Sequence, residues 1–270
     1  METRFKIFIT GFVSLFLVTF AEDLKFSYSG PTGPEKWGSM SPSFFACSSG
    51  KAQSPMQIIR NAGVLNPNLG PLSIQYSDSS ATLINHGFNV ELLYGNEVGG
   101  AIIDGKQYSL KQMHWHSPSE HKIDGVRYAA ELHLVHKSAD GSISVVAILY
   151  NLGAPDALLS QIEEHFDQLA KEAFAGREGS HIPIKVVKAA NILQTTKRYF
   201  RYVGSLTTPP CSEKVIWNIL EEVRQISSEQ LNTLKAPLKG SCKNNFRPTQ
   251  PSNGRLVEIS VASKTSNLLL

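Results

Sequence analysis

Asp104-Gly105, Asp124-Gly125 and Asp140-Gly141 each stand between two segments of apolar or alternating residues. An Asp-Gly pair takes up, without strain, the two positive-φ positions of a tight turn, which makes it the strongest local signal for an antiparallel hairpin. Three such turns commit the middle of the chain to strands, because strands adjacent in sequence tend to be adjacent in space. The spacing predicts strands over 81–85, 90–94, 100–103, 108–116, 128–136 and 143–151. Two helices punctuate them. Asp156 can cap a helix whose Leu158, Ile162, Phe166, Leu169 and Ala173 recur at three and four, ending at Gly176. Ser227 with Gln230 forms a capping box, and Ile226 with Leu231 a hydrophobic staple, for a short helix over 228–236. The expected fold is mainly β with a few short helices (α+β), around a large, mostly antiparallel twisted sheet.

Composition narrows the function classes. The formal charge is only +3, from 26 Lys+Arg against 23 Asp+Glu, and there is no basic block, so nothing points to a nucleic-acid partner. Residues 1–21 read as a secretory signal peptide: Arg4 and Lys6, an apolar run from Ile7 to Phe20, and Thr19-Phe20-Ala21 as cleavage site. That run is about fourteen residues where a membrane span needs roughly twenty. A single soluble domain over 22–270 is expected, delivered to the secretory pathway and without a membrane anchor. Cys47, Cys211 and Cys242 match no Cys-rich zinc motif, so one disulfide and one odd thiol are expected, with three pairings open.

The histidines carry the chemistry. Five of eight fall within 23 positions: His114, His116, His121, His133 and His136. In the strand containing Gln112-Met113-His114-Trp115-His116, residues two apart share a face, so His114 and His116 present both imidazoles to one point. Beyond a turn, Glu131, His133 and Val135 share a face of the next strand, and His133 can complete a set of three. Three neutral imidazoles with an open fourth position is the ligand arrangement of catalytic zinc, although copper and nickel also accept imidazole. His121, His136 and His86 are read as supporting or structural, His165 and His181 as solvated.

Gly204-Ser205-Leu206-Thr207-Thr208-Pro209-Pro210-Cys211 reads locally as a turn. Taken with Gln112-x-His114-x-His116, Ser119-Glu120-His121, the 129–136 segment and Asn245-Phe246-Arg247-Pro248-x-Gln250-Pro251, it resembles the α-class carbonic anhydrases, and the wording around His114–His121 resembles their plant secreted branch. The similarity runs from Tyr28 to about Ile259. It implies reversible hydration of carbon dioxide to bicarbonate and a proton, with zinc on His114, His116 and His133 at the bottom of a conical cleft. It further implies that the Thr207 hydroxyl orients the attacking oxygen and donates to Glu120, and that Gln112 and Glu131 orient His114 and His133. Val135, Val145, Leu206, Thr208, Val215 and Trp217 would contact the small apolar substrate, Tyr28 would belong to a water network, and Cys47 would pair with Cys211. The proton-shuttle histidine of the family has two registers here: one places Phe88 at its position, the other places His86 there. Some plant relatives have lost a zinc histidine and serve as storage proteins, so a non-catalytic storage or binding role is the alternative. All three histidines are present in this chain.

Overall fold

The structure is a computed structural model that describes residues 26–95, 98–177, 179–192 and 198–261. The signal peptide expected over 1–21 lies outside the described residues. Among the described residues, thirteen strands form one sheet. Ten make its main path: β1 (Val64–Asn66), β2 (Ser79–Asn85), β3 (Val90–Tyr94), β4 (Lys106–His116), β5 (Ala130–Lys137), β6 (Ile143–Leu152), β7 (His181–Val187), β8 (Tyr199–Ser205), β9 (Glu213–Leu220) and β10 (Glu258–Ser260). In space they run β7-β2-β3-β4-β5-β6-β9-β8-β10-β1. Most joints are antiparallel. β6 pairs with β9 and with Arg224–Ile226 in parallel, and so does β10 with β1. Gly99–Ile103 lies on β4 and carries Ser73–Tyr76 on its other edge.

Two of the Asp-Gly pairs form the tight turns expected. Asp104 and Gly105 have φ of 52° and 74°, and Asp124 and Gly125 have 48° and 83°, both residues left-handed in each turn. The second hairpin, however, joins only Lys122–Ile123 to Val126–Arg127, which with Gln57–Ile58 make a separate three-stranded sheet. The strand predicted over 128–136 therefore begins at Ala130. At the third site the loop is longer, since Lys137 pairs with Ile143, and only Gly141 is left-handed. There Asp140 acts as an acceptor for the Ser142 N–H at 3.1 Å.

The sequence pattern predicts no strand beyond 151, yet β7 to β10 lie there. In β8 every residue except Val203 is buried, so the alternation that marks a half-buried strand is missing. Both helices form. The Asp156 carboxylate accepts from the Leu158 and Leu159 N–H groups of α1 (Ala157–Phe174), and the full capping box of Ser227 and Gln230 starts α2 (Ser228–Lys235).

The two faces of the sheet have separate cores. Leu158, Ile162, Phe166 and Leu169 of α1 pack with Met113 and Trp115 of β4 and Leu132 and Leu134 of β5. The opposite face buries Val145, Ala147, Val215, Trp217 and Ile219. With Met113 and Trp115 committed to the helix, the alternation of β4 sends Gln112, His114 and His116 to the other side. No helix among the described residues is long and apolar enough to cross a membrane.

Phe166 is fully buried with its ring edge-on to Trp115 at 5.8 Å. Phe166→Ala should cost about 3–5 kcal/mol by leaving a cavity, whereas Asp156→Ala should cost about 1 kcal/mol by removing a cap. Urea unfolding of the two variants checks the ranking, and equal losses would contradict it.

Candidate metal centre

The register of the central strands assembles the site. His133 on β5 lies opposite His114 on β4, and Glu131 opposite His116. One residue pair further along, Gln112 lies opposite Val135, which faces Val145 on β6, which in turn sits beside Trp217 on β9. A row of imidazoles thus runs next to a row that turns apolar. From β3, Glu91 stands opposite His114.

Each ring has one nitrogen occupied by an acceptor. His114 Nδ1 is 2.7 Å from Gln112 Oε1, His116 Nδ1 2.5 Å from the Asn245 carbonyl oxygen, and His133 Nε2 2.7 Å from Glu131 Oε1. Each of those nitrogens donates a proton, which leaves lone pairs on His114 Nε2, His116 Nε2 and His133 Nδ1. The three residues offer ligand atoms within 4.8 Å of one another. His114 Nε2 and His133 Nδ1 face each other at 3.3 Å, and His116 Nε2 is buried with no hydrogen-bond partner. Converging lone pairs repel unless a cation lies between them, so the residues fit a metal ion that prefers nitrogen. Their charge state fits too. Burial, then the neighbouring His116 and His133, hold His114 well below the usual histidine range; burial takes His116 down to about 4 and lowers His133. All three are neutral at pH 7, as metal ligands must be.

Two buried carboxylates flank the rings. Glu131 accepts from His133 Nε2, from His121 Nδ1 at 2.6 Å, and from the Glu120 and His121 backbone N–H groups, both at 2.8 Å. Burial alone would raise it, but His121 and His133 hold it well below the carboxylate range. Glu120 is less well served. Its Oε1 accepts from the Arg247 N–H at 2.8 Å, while Oε2 has no partner and lies 3.5 Å from His116 Nε2. Burial pushes this carboxyl up to about 7, against the pull of His133 and the Arg247 N–H. The Thr207 hydroxyl also pulls it down.

The remaining expected residues sort themselves by place. Val145, Val215 and Trp217 are buried together, with Val135 and Leu206 packed on them, and the Trp217 ring centre is 4.8 Å from that of His133. Thr207 is buried and Thr208 half-buried in the loop between β8 and β9. Tyr28 packs on Trp37 and Phe26, and its hydroxyl is buried without a partner. His86 and Phe88 share the turn between β2 and β3 with their rings stacked at 5.7 Å; His86 is exposed and 3.6 Å from Glu91, and Phe88 packs on Phe26. His121 joins Glu131, while His136 is buried against the Tyr76 hydroxyl at 2.6 Å, away from the metal rings. His165 is half-buried rather than solvated, while His181, the first residue of β7, is exposed as expected. The sequence pattern does not reveal the Asn245 carbonyl and the Arg247 N–H as partners. Both are main-chain groups, which no residue type advertises.

The family description "Eukaryotic-type carbonic anhydrase" matches residues 32–261. The chain belongs to the carbonic anhydrase family. Alpha carbonic anhydrase 5 of Arabidopsis thaliana is 36% identical over 97% of either chain, and dioscorin DB3L of Dioscorea polystachya is 34% identical over 87% of this chain and 85% of its own. Among solved structures, dioscorin complexed with ascorbate has a TM-score of 0.84 at 35% identity, covering 89% of this chain and all of its own. The alpha carbonic anhydrase of Thermovibrio ammonificans with the inhibitor sulfanilamide has a TM-score of 0.77 at 32% identity, over 87% and 99%.

The chain carries the expected Cys47–Cys211 disulfide and a free, half-buried Cys242. The Cys211 N–H donates to the Thr208 carbonyl at 2.9 Å, so the bridge anchors the end of the Thr207 loop. It spans 164 positions, a closure that the chain-entropy model values at about 5 kcal/mol, an upper figure. Alkylation of the unfolded, unreduced protein should label Cys242 alone; a peptide pairing Cys242 with either partner would contradict the bridge.

Proposed function

We propose that this protein is a zinc enzyme that hydrates carbon dioxide reversibly to bicarbonate and a proton. The observation that carries the reading is the set of three neutral imidazoles, each held by its own acceptor, whose free nitrogens converge beside an apolar wall. His114, His116 and His133 would hold the zinc. When bound, zinc supplies Lewis acidity, bringing the pKa of a coordinated water to about 7, a magnitude already established for this enzyme family.

The protein's own groups divide the rest of the work. Gln112, the Asn245 carbonyl and Glu131 fix the tautomer and tilt of the rings. Glu120 Oε2, the carboxylate oxygen without a partner, can accept a hydrogen bond from the Thr207 hydroxyl, which leaves Thr207 Oγ1 free to accept one in turn from a group held at the metal. That arrangement favours a small group carrying one proton and orients its lone pairs. Carbon dioxide has no charge and no dipole, so it is bound by apolar contact: Val135, Val145, Leu206, Val215 and Trp217 supply the wall, with Thr208 at its edge. Tyr28, with its hydroxyl unpaired near Glu120, suits an ordered-water network. The disulfide supports synthesis through an oxidising secretory route.

Purified protein should hold one zinc per chain, and His133→Gln should lose both the metal and hydration activity, measured by elemental analysis and stopped-flow kinetics. Full hydration activity in that variant would sink the assignment.

A proton must leave the site in every cycle. A group of pKa about 7 that is reprotonated at roughly 10⁹–10¹⁰ M⁻¹s⁻¹ releases its proton to water at only about 10²–10³ per second. With Phe88 at the shuttle position, imidazole buffers should raise kcat and leave kcat/KM nearly unchanged, and Phe88→His should reproduce the gain without buffer. If His86→Ala alone collapses kcat and wild-type turnover ignores buffer, His86 is the relay.

A second reading, a non-catalytic binding protein on the same fold, is favoured by the likeness to dioscorin, whose structure holds ascorbate. Stoichiometric ascorbate binding with no zinc and no hydration would establish it.

A further inference from the structure

We propose that Tyr202 and Ser54 are positioning residues which join the metal ligand His133 to the Thr207 loop through one directional chain of buried hydrogen bonds. The inference rests on the zinc reading above.

The chain runs His133 Nε2 to Glu131 Oε1 (2.7 Å), Glu131 Oε1 to His121 Nδ1 (2.6 Å), His121 Nε2 to the Tyr202 hydroxyl (2.7 Å), and that hydroxyl to Ser54 Oγ (2.9 Å). Ser54 then grips Ser205 twice: Ser54 Oγ accepts from the Ser205 N–H at 3.0 Å, and the Ser54 N–H donates to Ser205 Oγ at 2.9 Å. Ser205 Oγ donates to the Leu206 carbonyl at 2.7 Å, and the Trp217 indole N–H donates to the Ser205 carbonyl at 2.9 Å. The next residue is Thr207. Glu131, His121, Tyr202, Ser54 and Ser205 are all buried, so no bulk water replaces a missing partner.

The proton positions follow from donor and acceptor capacity. Glu131 takes two backbone N–H groups, which can only donate, at Oε2 and His133 Nε2 at Oε1, so it is filled as an acceptor; His121 then carries its proton on Nδ1 and offers a lone pair at Nε2. Tyr202 must then donate to His121, and Ser54 must donate to Tyr202. Only one polarity satisfies every member. The packing preserves it: a Cβ at Gly204 would come within 2.1 Å of Ser54 Oγ and 2.6 Å of the Tyr202 ring, so glycine there keeps room for the pair. The Tyr202 ring lies parallel to Trp217, with centroids 6.3 Å apart, which ties the chain to the apolar wall as well.

The two ends predict different defects. Tyr202→Phe keeps the ring but leaves His121 Nε2 without a donor, loosening the imidazole that shares Glu131 with His133. Removing the direct partner of a metal ligand typically costs about 10–100-fold in metal affinity, and Tyr202, two hydrogen bonds further out, is expected at the lower end of that range. Ser54→Ala leaves Tyr202 free to donate to His121 and keeps the backbone bond to Ser205 Oγ, but it takes the acceptor away from the Ser205 N–H, so it acts on the Thr207 side.

The experiment uses the full chain loaded with cobalt(II) in place of zinc. Affinity is read by chelator competition and ligand geometry by the visible spectrum. Tyr202→Phe should bind cobalt about tenfold more weakly with altered bands. Ser54→Ala should keep cobalt affinity within about threefold and lose about tenfold in kcat/KM. A Tyr202→Phe variant with wild-type affinity and spectrum overturns the inference. Nitrogen-15 NMR of histidine-labelled wild-type protein needs no variant to fold: the Nδ1–H tautomer of His121 is expected, and the Nε2–H tautomer overturns the proposal. Wild-type protein that binds no cobalt removes the zinc reading and this inference with it, whereas cobalt binding with an unchanged Tyr202→Phe overturns this inference alone.

Discussion

Glu131 is held ionised and fully buried, an arrangement that would cost several kcal/mol if its oxygens were left bare. Four N–H donors prevent that, and each of them is also a structural commitment. The imidazole of His133 is turned so that Nδ1 faces the other two histidines. The imidazole of His121 is held against the back of the site. The backbone N–H groups of Glu120 and His121 are drawn in together, which sets the path of the 119–121 segment and so the placement of the Glu120 carboxylate. The metal ligands and the group that would manage the Thr207 hydroxyl thus depend on the same two oxygens.

The comparison of Glu131 with Glu120 shows how donor count separates two carboxylates in one buried site. Both are inaccessible to water. Glu131, with four donors, is held well below the carboxylate range, while Glu120, with one backbone N–H at Oε1 and an unpaired Oε2, is pushed to about 7. A saturated carboxylate serves as a fixed anchor. One with a free oxygen keeps the capacity to accept a hydrogen bond from a neighbouring hydroxyl, the capacity that Thr207 requires in the proposed mechanism.

Much of the site is readable from the chain because strand alternation converts spacing into geometry. Periodicity alone places His114 and His116 on one face of a strand, and Glu131, His133 and Val135 on one face of the next. The Thr207 loop, Glu120 and the Cys47–Cys211 pairing are reached through family resemblance, since nothing in residue type or spacing brings positions 47 and 211, or 120 and 207, together. The strands after 151 escape because a strand covered on both faces, such as β8, loses the alternation that would reveal it. Main-chain acceptors such as the Asn245 carbonyl are invisible to any reading by side chain. Tyr202 and Ser54 are ordinary residue types whose importance arises only when a separation of 148 positions collapses to one hydrogen bond.

Strand β4 has to serve two layers, and simple alternation could not satisfy both. Leu110 packs in the same core as Met113 and Trp115, on the helix side, while Gln112, His114 and His116 face the metal centre. In an unbroken strand Leu110 would share its face with Gln112 and His114. The pairing of β4 with β5 shifts there: Val135 lies opposite Gln112 but His136 lies opposite Leu110, so Lys111 is the extra residue of a β-bulge. That inserted residue reverses the phase of the strand. Its first half can therefore bury leucine against the helix layer while its second half carries the imidazoles on the other face. A deletion at position 111 would not merely shorten the strand; it would force either the leucine or the histidines onto the wrong side of the sheet, which places the metal site under the control of a residue that is not itself a ligand.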